Sequence, residues 1–378
     1  MENKSKIVIS LIVLALLVIA LFAFTFTGFV INSQGSSNKE PIKIGGMFAL
    51  TGKSMAIGEI AKSGAVMAVE EINSRGGIDG RKIEFILEDD KDDAAEAVTA
   101  VQKLINVDNV RYIIGGTNSI TATPIVTIAQ DNKVIFLTTT ATADKVNSAG
   151  DYVFKLQEGT DAHARKITSV MDILGVKKLS IIQVESEFCT DLVGYLKKRA
   201  AERNIEVKDI EAYKSTDNDY RTQLANIKEE DSDALYLCSY YKDGAAIAKQ
   251  ARELGITKQL FSASTVENPD FIKIAGEAGE GLIYTTTSFD CGVSKQFCYN
   301  FQEKFNKKPD YRAAYAYDAV YILANAIEKA GNNKEKVKLQ LLKTNYNGIS
   351  GRTILDSEGN AKRDFILRII KNQQFVKY

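Results

Sequence analysis

Residues 42–93 read IKIGGMFALTGKSMAIGEIAKSGAVMAVEEINSRGGIDGRKIEFILEDDKDD and decide the fold. The apolar, β-branched run at 42–50 predicts a strand, and the pattern at 59–74 predicts a helix. Arg75-Gly76-Gly77 ends that helix, because glycine readily adopts the left-handed conformation of a helix cap. A second strand follows at 82–88. Strand, helix and strand in this order are typical of a doubly wound parallel sheet.

The alternation of strands and helices continues to the end of the chain and restarts once. Further helices are predicted at 92–106, 121–131, 161–174, 190–203, 243–254, 294–306 and 311–330. Further strands are predicted at 110–115, 134–137, 179–184, 234–238, around Leu260-Phe261, and at 281–286, 351–355, 364–370 and 375–378. About 340 residues follow the first segment, more than the ~250–300 of one core. We therefore expect an α/β protein with two doubly wound parallel-sheet lobes.

The N-terminal segment 7–31 carries no charge and is long enough to cross a bilayer as a helix. Lys4 and Lys6 precede it, which favours a cytoplasmic N-terminus and export of the remainder. We expect either an uncleaved membrane anchor or a cleaved signal peptide, although a signal peptide usually has a shorter apolar region. Residues 32–38 are small and polar and predict a flexible tether. This region has no cysteine, which excludes a lipid-modified N-terminal cysteine.

Charge and composition exclude several classes of function. The 48 basic residues balance the 48 acidic ones, so there is no electrostatic footprint for nucleic acid. The single histidine, His163, rules out a multi-histidine metal site. No glycine-rich fingerprint follows the first strand and no phosphate-binding loop is present, so we expect neither a cofactor nor an enzyme.

Four cysteines suggest disulfide bonds outside the cytoplasm, and free buried thiols are the alternative. Cys291 and Cys298 close a short loop. Cys189 follows one predicted strand and Cys238 ends another, so the two can meet at the rim of one sheet.

Two clusters of hydroxyl side chains follow neighbouring strands. Thr117-Asn118-Ser119-Ile120-Thr121 opens a helix, whose free N–H groups and dipole attract an anion such as a carboxylate. The alternative is a simple helix cap. The second cluster, 138–144, follows the next strand, and its alternative is a surface loop. Because ligands bind beyond the carboxyl ends of parallel strands, the two clusters together predict a polar pocket.

The chain resembles the type I periplasmic binding proteins of ABC transporters, the family of the leucine/isoleucine/valine-binding proteins. Its marks are the segment 42–93 with its E-I-N-x-x-G-G-I helix end, then YIIGGTNSITATP at 112–124, QARELGI at 250–256 and AYDAVYILANAI at 316–327. The resemblance implies two lobes joined by three crossovers and closing like a hinge on a ligand. Lobe 1 would comprise 42–157 and 289–346, and lobe 2 158–288 and 347–378, after an N-terminal segment and tether at 1–41. The crossovers would lie near 156–159, 288–290 and 347–350.

The resemblance also implies a ligand site. The family binds the ligand carboxylate at positions that fall on Ser119 with its neighbours Ile120 and Thr121, and on Ala141 and Thr142 with Thr140 adjacent. Family aromatic positions fall on Ile57, Phe188 and Tyr240.

One departure concerns the ligand ammonium. The acid that pairs with it in amino-acid binders falls on Ser264, with Glu267 three residues on. The other candidate acids are Glu185, Glu187 and Asp243.

The sequence as a whole predicts an extracytoplasmic receptor of an ABC importer. It would capture a small carboxylate, foremost an amino acid of the branched-chain type, and deliver it to permease subunits in the membrane. It would be anchored to the outer face of the membrane, or secreted if the first segment is cleaved. The alternatives are a ligand-sensing ectodomain, a receptor for another carboxylate such as an aromatic acid, and an exported enzyme.

Overall fold

The computed structural model describes residues 39–147, 150–363 and 365–378. The segment 7–31, for which the sequence predicts an anchor or signal, lies outside these residues. Within them, no helix combines the length and the apolar character needed to cross a bilayer.

The strands and helices are numbered along the described chain. The strands are β1 Ile42–Phe48, β2 Ile83–Asp89, β3 Tyr112–Gly115, β4 Ile135–Thr138, β5 Val153–Lys155, β6 Lys178–Val184, β7 Glu206–Tyr213, β8 Ala234–Cys238, β9 Gln259–Ala263, β10 Ile283–Thr286, β11 Asn345–Gly348, β12 Gly351–Ile354, β13 Ile366–Lys371 and β14 Gln374–Lys377. The helices are α1 Met55–Ser74, α2 Ala94–Asn106, α3 Ser119–Asp131, α4 Asp144–Asn147, α5 Thr160–Ile173, α6 Glu187–Ala201, α7 Arg221–Glu229, α8 Tyr241–Glu253, α9 Pro269–Ala275, α10 Lys295–Phe305, α11 Tyr311–Ala330 and α12 Lys334–Leu341. Two 3₁₀ turns, Ser264–Val266 and Gly276–Gly279, flank α9.

The first lobe is built on a parallel sheet in the order β2-β1-β3-β4-β5. Its strand order reverses between β1 and β3, and ligands of open α/β sheets bind at such a switch point. α1 and α11 pack together on one face, where Gly64 of α1 lets its backbone meet the backbone of Ala313. α2 and α3 cover the other face.

The second lobe has seven strands in the order β14-β13-β10-β9-β8-β6-β7. The strands from β6 to β10 are parallel, while β13 and β14 extend one edge as an antiparallel pair. One apolar core joins these strands to α5, α6 and α8. Ile57 of α1, from the first lobe, also packs into this core, so the two lobes lie against each other.

The third passage between the lobes differs from the prediction, which placed it at 347–350. Leu355 and Ala361 still belong to the core of the first lobe, and the Ala361 N–H donates to the Lys155 carbonyl at 2.8 Å. The chain enters the second sheet only at Ile366. The physical reason is that the hairpin of β11 and β12 is held to the first lobe by Asp318, whose carboxylate accepts from the Ile349 N–H at 2.9 Å. The other two passages lie between β5 and α5 and between β10 and α10.

Candidate functional site

A small cavity lies between the lobes, beyond the carboxyl ends of the strands. Its volume is about 30 Å³, which shows that the lobes are nearly in contact around it. The lining residues are Ile57, Thr117, Asn118, Ser119, Thr140, Thr142, Gln157, His163, Phe188, Tyr240, Ser264, Thr265, Tyr311 and Arg312.

The start of α3 forms one wall of the cavity. Gly116, at φ 64°, turns the chain from β3 toward the helix, and Asn118 occupies the N-cap position. The Asn118 side chain does not cap the helix but donates to the Asp92 carboxylate at 2.7 Å. The first-turn N–H groups therefore lack a capping side chain, and with the helix dipole they suit an anion.

Ser119 joins the two hydroxyl clusters. Its Oγ accepts hydrogen bonds from the Thr142 N–H at 3.2 Å and from the Ala143 N–H at 3.1 Å. Because both bonds use the oxygen lone pairs, the hydroxyl proton stays available for an acceptor on a ligand. Thr140 supports the same wall by donating to the Thr117 carbonyl at 2.8 Å.

The opposite wall comes from the second lobe. Phe188 lies in the first turn of α6, where the Ser186 side chain caps the helix by accepting from the Cys189 N–H. A disulfide joins Cys189 to Cys238 at the end of β8, with the Cα atoms 5.7 Å apart. It ties together the two segments that carry Phe188 and Tyr240. The second disulfide, Cys291–Cys298, closes a loop distant in sequence from these segments.

Several polar atoms of the cavity have no protein partner. Thr117 Oγ1, Gln157 Oε1 and Thr265 Oγ1 are buried without a hydrogen-bond partner in the part of the chain that the structure describes. Thr117 is 5% exposed and Gln157 2%. Buried polar groups in proteins are almost always satisfied. These three atoms therefore indicate that the cavity receives a polar ligand or water.

Arg312 brings a buried positive charge to the cavity. Its guanidinium donates to the Asp310 carboxylate at 2.7 Å and to the backbone carbonyls of Glu267 at 3.2 Å and Ser264 at 3.5 Å. It also lies over the Tyr311 ring, 4.4 Å from its centroid. Arg312 belongs to the first lobe and Ser264 and Glu267 to the second, so the two bonds to the backbone carbonyls cross the cleft.

His163 is a neutral member of the lining. Its Nδ1 lies 2.6 Å from Thr285 Oγ1, and its ring stacks on Phe365 at 3.7 Å. Burial lowers the pKa of His163 to about 3, helped by the positive charge of Lys155. It is therefore a hydrogen-bonding core histidine rather than a titrating group near neutral pH.

The candidate acids lie outside the cavity lining. Burial raises the pKa of Glu267 although Arg368 and Thr286 oppose this, and its carboxylate is held by Arg368 at 2.6 Å and Thr286 at 2.6 Å. Asp243 lines a neighbouring outer pocket of about 270 Å³, and burial raises its pKa to about 6. Glu185 and Glu187 are exposed.

The family model for periplasmic binding proteins matches residues 41–374, nearly all of the described chain. The chain belongs to the periplasmic binding protein family. The resemblance seen in the sequence is thereby confirmed, and membership places this binding protein outside the cytoplasm and among solute-binding proteins of transporters rather than enzymes.

Relatives and solved structures agree with this membership. The leucine-, isoleucine-, valine-, threonine- and alanine-binding protein of Pseudomonas aeruginosa is 26% identical over 345 residues, covering 90% of this chain and 91% of the relative. A leucine-binding protein of Thermotoga maritima superposes with a TM-score of 0.84 at 30% identity, covering 89% of this chain and 97% of that one. A branched-chain amino acid binding protein of Streptococcus pneumoniae, in complex with isoleucine, superposes with a TM-score of 0.81 at 27% identity. The match covers 89% of this chain and 100% of that one. The two-lobed α/β fold predicted from the sequence is thus confirmed.

The structure brings together seven of the predicted site residues of this periplasmic binding protein. They are Ile57, Ser119, Thr140, Thr142, Phe188, Tyr240 and Ser264. Of the others, Ile120 lines the outer pocket, and Thr121 donates to the Asn118 carbonyl. Ala141 packs into the core of the first lobe, and Glu267 pairs with Arg368.

Seven lining residues of the binding protein were not predicted as site residues. They are Thr117, Asn118, Gln157, His163, Thr265, Tyr311 and Arg312. Thr117 and Asn118 belong to the first hydroxyl cluster, which gave a signal for them. Tyr311 and Arg312 begin α11, and only the Asp310 cap before them marks this end of a core helix in the sequence. Among the described residues, no group of three or more His, Cys, Asp and Glu side chains is placed to hold a metal ion.

Proposed function

We propose that this protein is the receptor of an ABC importer and captures a small carboxylate-bearing solute in the cavity between its lobes. The observation that carries the proposal is the uncapped start of α3 beside Ser119, whose hydroxyl proton is available. Backbone N–H groups at a helix start and a hydroxyl donor form a suitable site for a carboxylate.

Capture would work by closure of the lobes around the ligand. Several bonds already join the lobes: the Asp144 N–H donates to Asp191 at 2.8 Å, and the Tyr241 hydroxyl donates to the Lys53 carbonyl at 3.3 Å. A ligand that touches both walls favours the closed state by its higher affinity for that state. The closed form would then present both lobes to a permease in the membrane.

The relatives define the first ligands to test. Their names share leucine or the branched-chain amino acids, with threonine and alanine added for the Pseudomonas relative. Ile57, Phe188 and Tyr240 give this cavity apolar surface for an aliphatic side chain. Branched-chain amino acids and carboxylic acids of the same carbon skeleton therefore form the candidate set. Segment 7–31, as an anchor, would hold the receptor close to its permease.

Thermal melting of the full-length chain, followed by circular dichroism, tests the proposal. The panel contains branched-chain amino acids, their 2-oxo and deamino counterparts, and alcohols of the same skeleton that lack the carboxylate. A carboxylate present at about 100 times its Kd should add ~2.7 kcal/mol to the free energy of unfolding and raise Tm by roughly 4 °C. The matched alcohols should leave Tm unchanged. The proposal fails if no carboxylate raises Tm, or if the alcohols raise it equally.

A further inference from the structure

We propose that the cavity selects carboxylates that carry no α-ammonium group, such as 2-oxo acids or simple branched acids, over the corresponding amino acids. The inference rests on the proposed function, because it specifies which member of the candidate set the same site prefers. Three observations carry it: the lining residues, the engagement of the nearby acids, and the hydrogen-bond donors of Arg312.

The lining offers no negatively charged partner for an ammonium group. Among the described residues that line the cavity, none is aspartate or glutamate. Ser264 occupies the lining position where the sequence resemblance expects an acid, and it is 4% exposed. An ammonium group enclosed there would lose its hydration without gaining a counter-charge, which is strongly unfavourable.

The acids nearest in the chain are already engaged. Glu267 is buried, and its carboxylate is bound by Arg368 and Thr286. Asp310 accepts from Arg312 and from the first N–H groups of α11. Turning either carboxylate toward a ligand would leave an arginine without its carboxylate partner, buried Arg312 in one case and half-buried Arg368 in the other.

The acids of the outer pocket face lysines. Asp92 and Asp243 line that pocket together with Lys53, Lys91 and Lys242, on the far side of Tyr240, which lines both spaces. Asp92 is also bound by Asn118 and by Ser54. These carboxylates therefore have positive charge beside them and are not part of the inner lining.

Arg312 is the only charged side chain among the described residues that line the cavity, and its charge is paired with Asp310. Its side chain is 4% exposed, and a guanidinium stays charged at any pH of interest. The carbonyls of Ser264 and Glu267 are acceptors of the kind an ammonium group needs, and both already accept from Arg312. A guanidinium has five N–H donors, and the described bonds use three, so donors remain for an acceptor on the ligand. A carboxylate or a 2-oxo oxygen can accept from these donors, whereas an ammonium group carries only donors of its own and cannot.

Calorimetric titration of the full-length chain with matched ligands tests the inference. Leucine, 4-methyl-2-oxopentanoate and 4-methylpentanoate share a skeleton and differ at the second carbon, and the valine and isoleucine series provide two further sets. We expect at least one deaminated acid to bind about tenfold or more tightly than its amino acid, a difference of ~1.4 kcal/mol. If amino acids bind as tightly or more tightly in all three series, the inference is overturned while the proposed function stands. If none of these carboxylates binds, the proposed function fails, and the inference fails with it.

A pair of variants separates charge from shape. Ser264→Glu supplies the missing carboxylate, and Ser264→Gln supplies the same bulk without the charge. We expect Ser264→Glu to bind leucine about tenfold or more tightly than Ser264→Gln does, and to lose affinity for the 2-oxo acid. Equal leucine affinity in two variants that both melt cooperatively would show that the missing acid does not set the selectivity. Titration of wild type against the matched ligands decides the question if either variant does not fold.

Discussion

Replacing Ser119 by alanine should weaken both the fold and the ligand site. Ser119, Thr142 and Ala143 are each at most 3% exposed, and Ser119 Oγ accepts from the other two N–H groups. Alanine removes the acceptor and leaves two buried donors, at a cost of about 1–3 kcal/mol each before the chain relaxes. We expect the free energy of unfolding to fall by roughly 2–4 kcal/mol. A hydrogen bond to a charged carboxylate contributes ~1.5–3 kcal/mol, so its loss should raise the Kd of the ligand by about 10- to 150-fold.

Urea denaturation measures the stability change, and calorimetric titration with whichever carboxylate binds wild type measures the affinity. The matched control is Ser180→Ala in β6: Ser180 is fully buried too, but its Oγ bonds Ser232 at 2.8 Å, and it is not part of the cavity lining. The control should lose about 1 kcal/mol of stability and keep wild-type affinity. Unchanged affinity in Ser119→Ala, or an equal loss in the control, would refute this account of the carboxylate site.

Three further experiments test the fold. Gly64→Ala should lower the free energy of unfolding, measured by urea denaturation, by ~1–3 kcal/mol, because the new Cβ meets the backbone of α11. Gly194→Ala is the control: its Cβ enters open space on a helix, so the free energy of unfolding should rise by up to ~1 kcal/mol. Wild type should lose unfolding free energy as the pH falls from 6.5 to about 3, because the imidazole of His163 takes up a proton in the unfolded state but not in the folded state. Since His163 is the chain's only histidine, His163→Gln should make this loss smaller. An unchanged slope would contradict the burial of that histidine. Replacing both Cys189 and Cys238 by alanine should lower the free energy of unfolding by ~4 kcal/mol, because their disulfide closes a loop of 49 residues. Calorimetric melting measures the change, and an unchanged Tm would contradict this stabilising role.

Much of the fold could be predicted from the sequence, because its signals are local. Apolar runs such as IKIGGMF at 42–48 and ALYLC at 234–238 are long enough to mark buried strands, and glycines after helices mark their ends. The strand Glu206–Tyr213 was missed, since it is an edge strand with an alternation of charged residues. The third passage between the lobes was misplaced, because the bonds from Asp318 to the hairpin connect residues 31 and 32 positions apart.

The candidate site was predictable only where it follows a strand. Ser119 and Thr142 stand in hydroxyl clusters directly after strands, so their meeting follows from the parallel sheet. Arg312 and Gln157 reach the cavity from a core helix and from a passage between the lobes. Nothing in their neighbouring residues distinguishes them from ordinary buried positions, because only the approach of the two lobes gives them a common environment.

The late return of the chain to the first lobe has a consequence for the order of synthesis. Leu355 and Ala361 complete the core of a lobe whose first strand begins at Ile42, more than three hundred residues earlier in the chain. A ribosome must therefore make the chain as far as Ala361 before the first lobe can close its core. The second lobe likewise waits for β13 and β14. A chain crossing a membrane thus has neither lobe finished until Ala361 and then β13 and β14 have crossed, so both lobes are completed at nearly the same moment, on the far side.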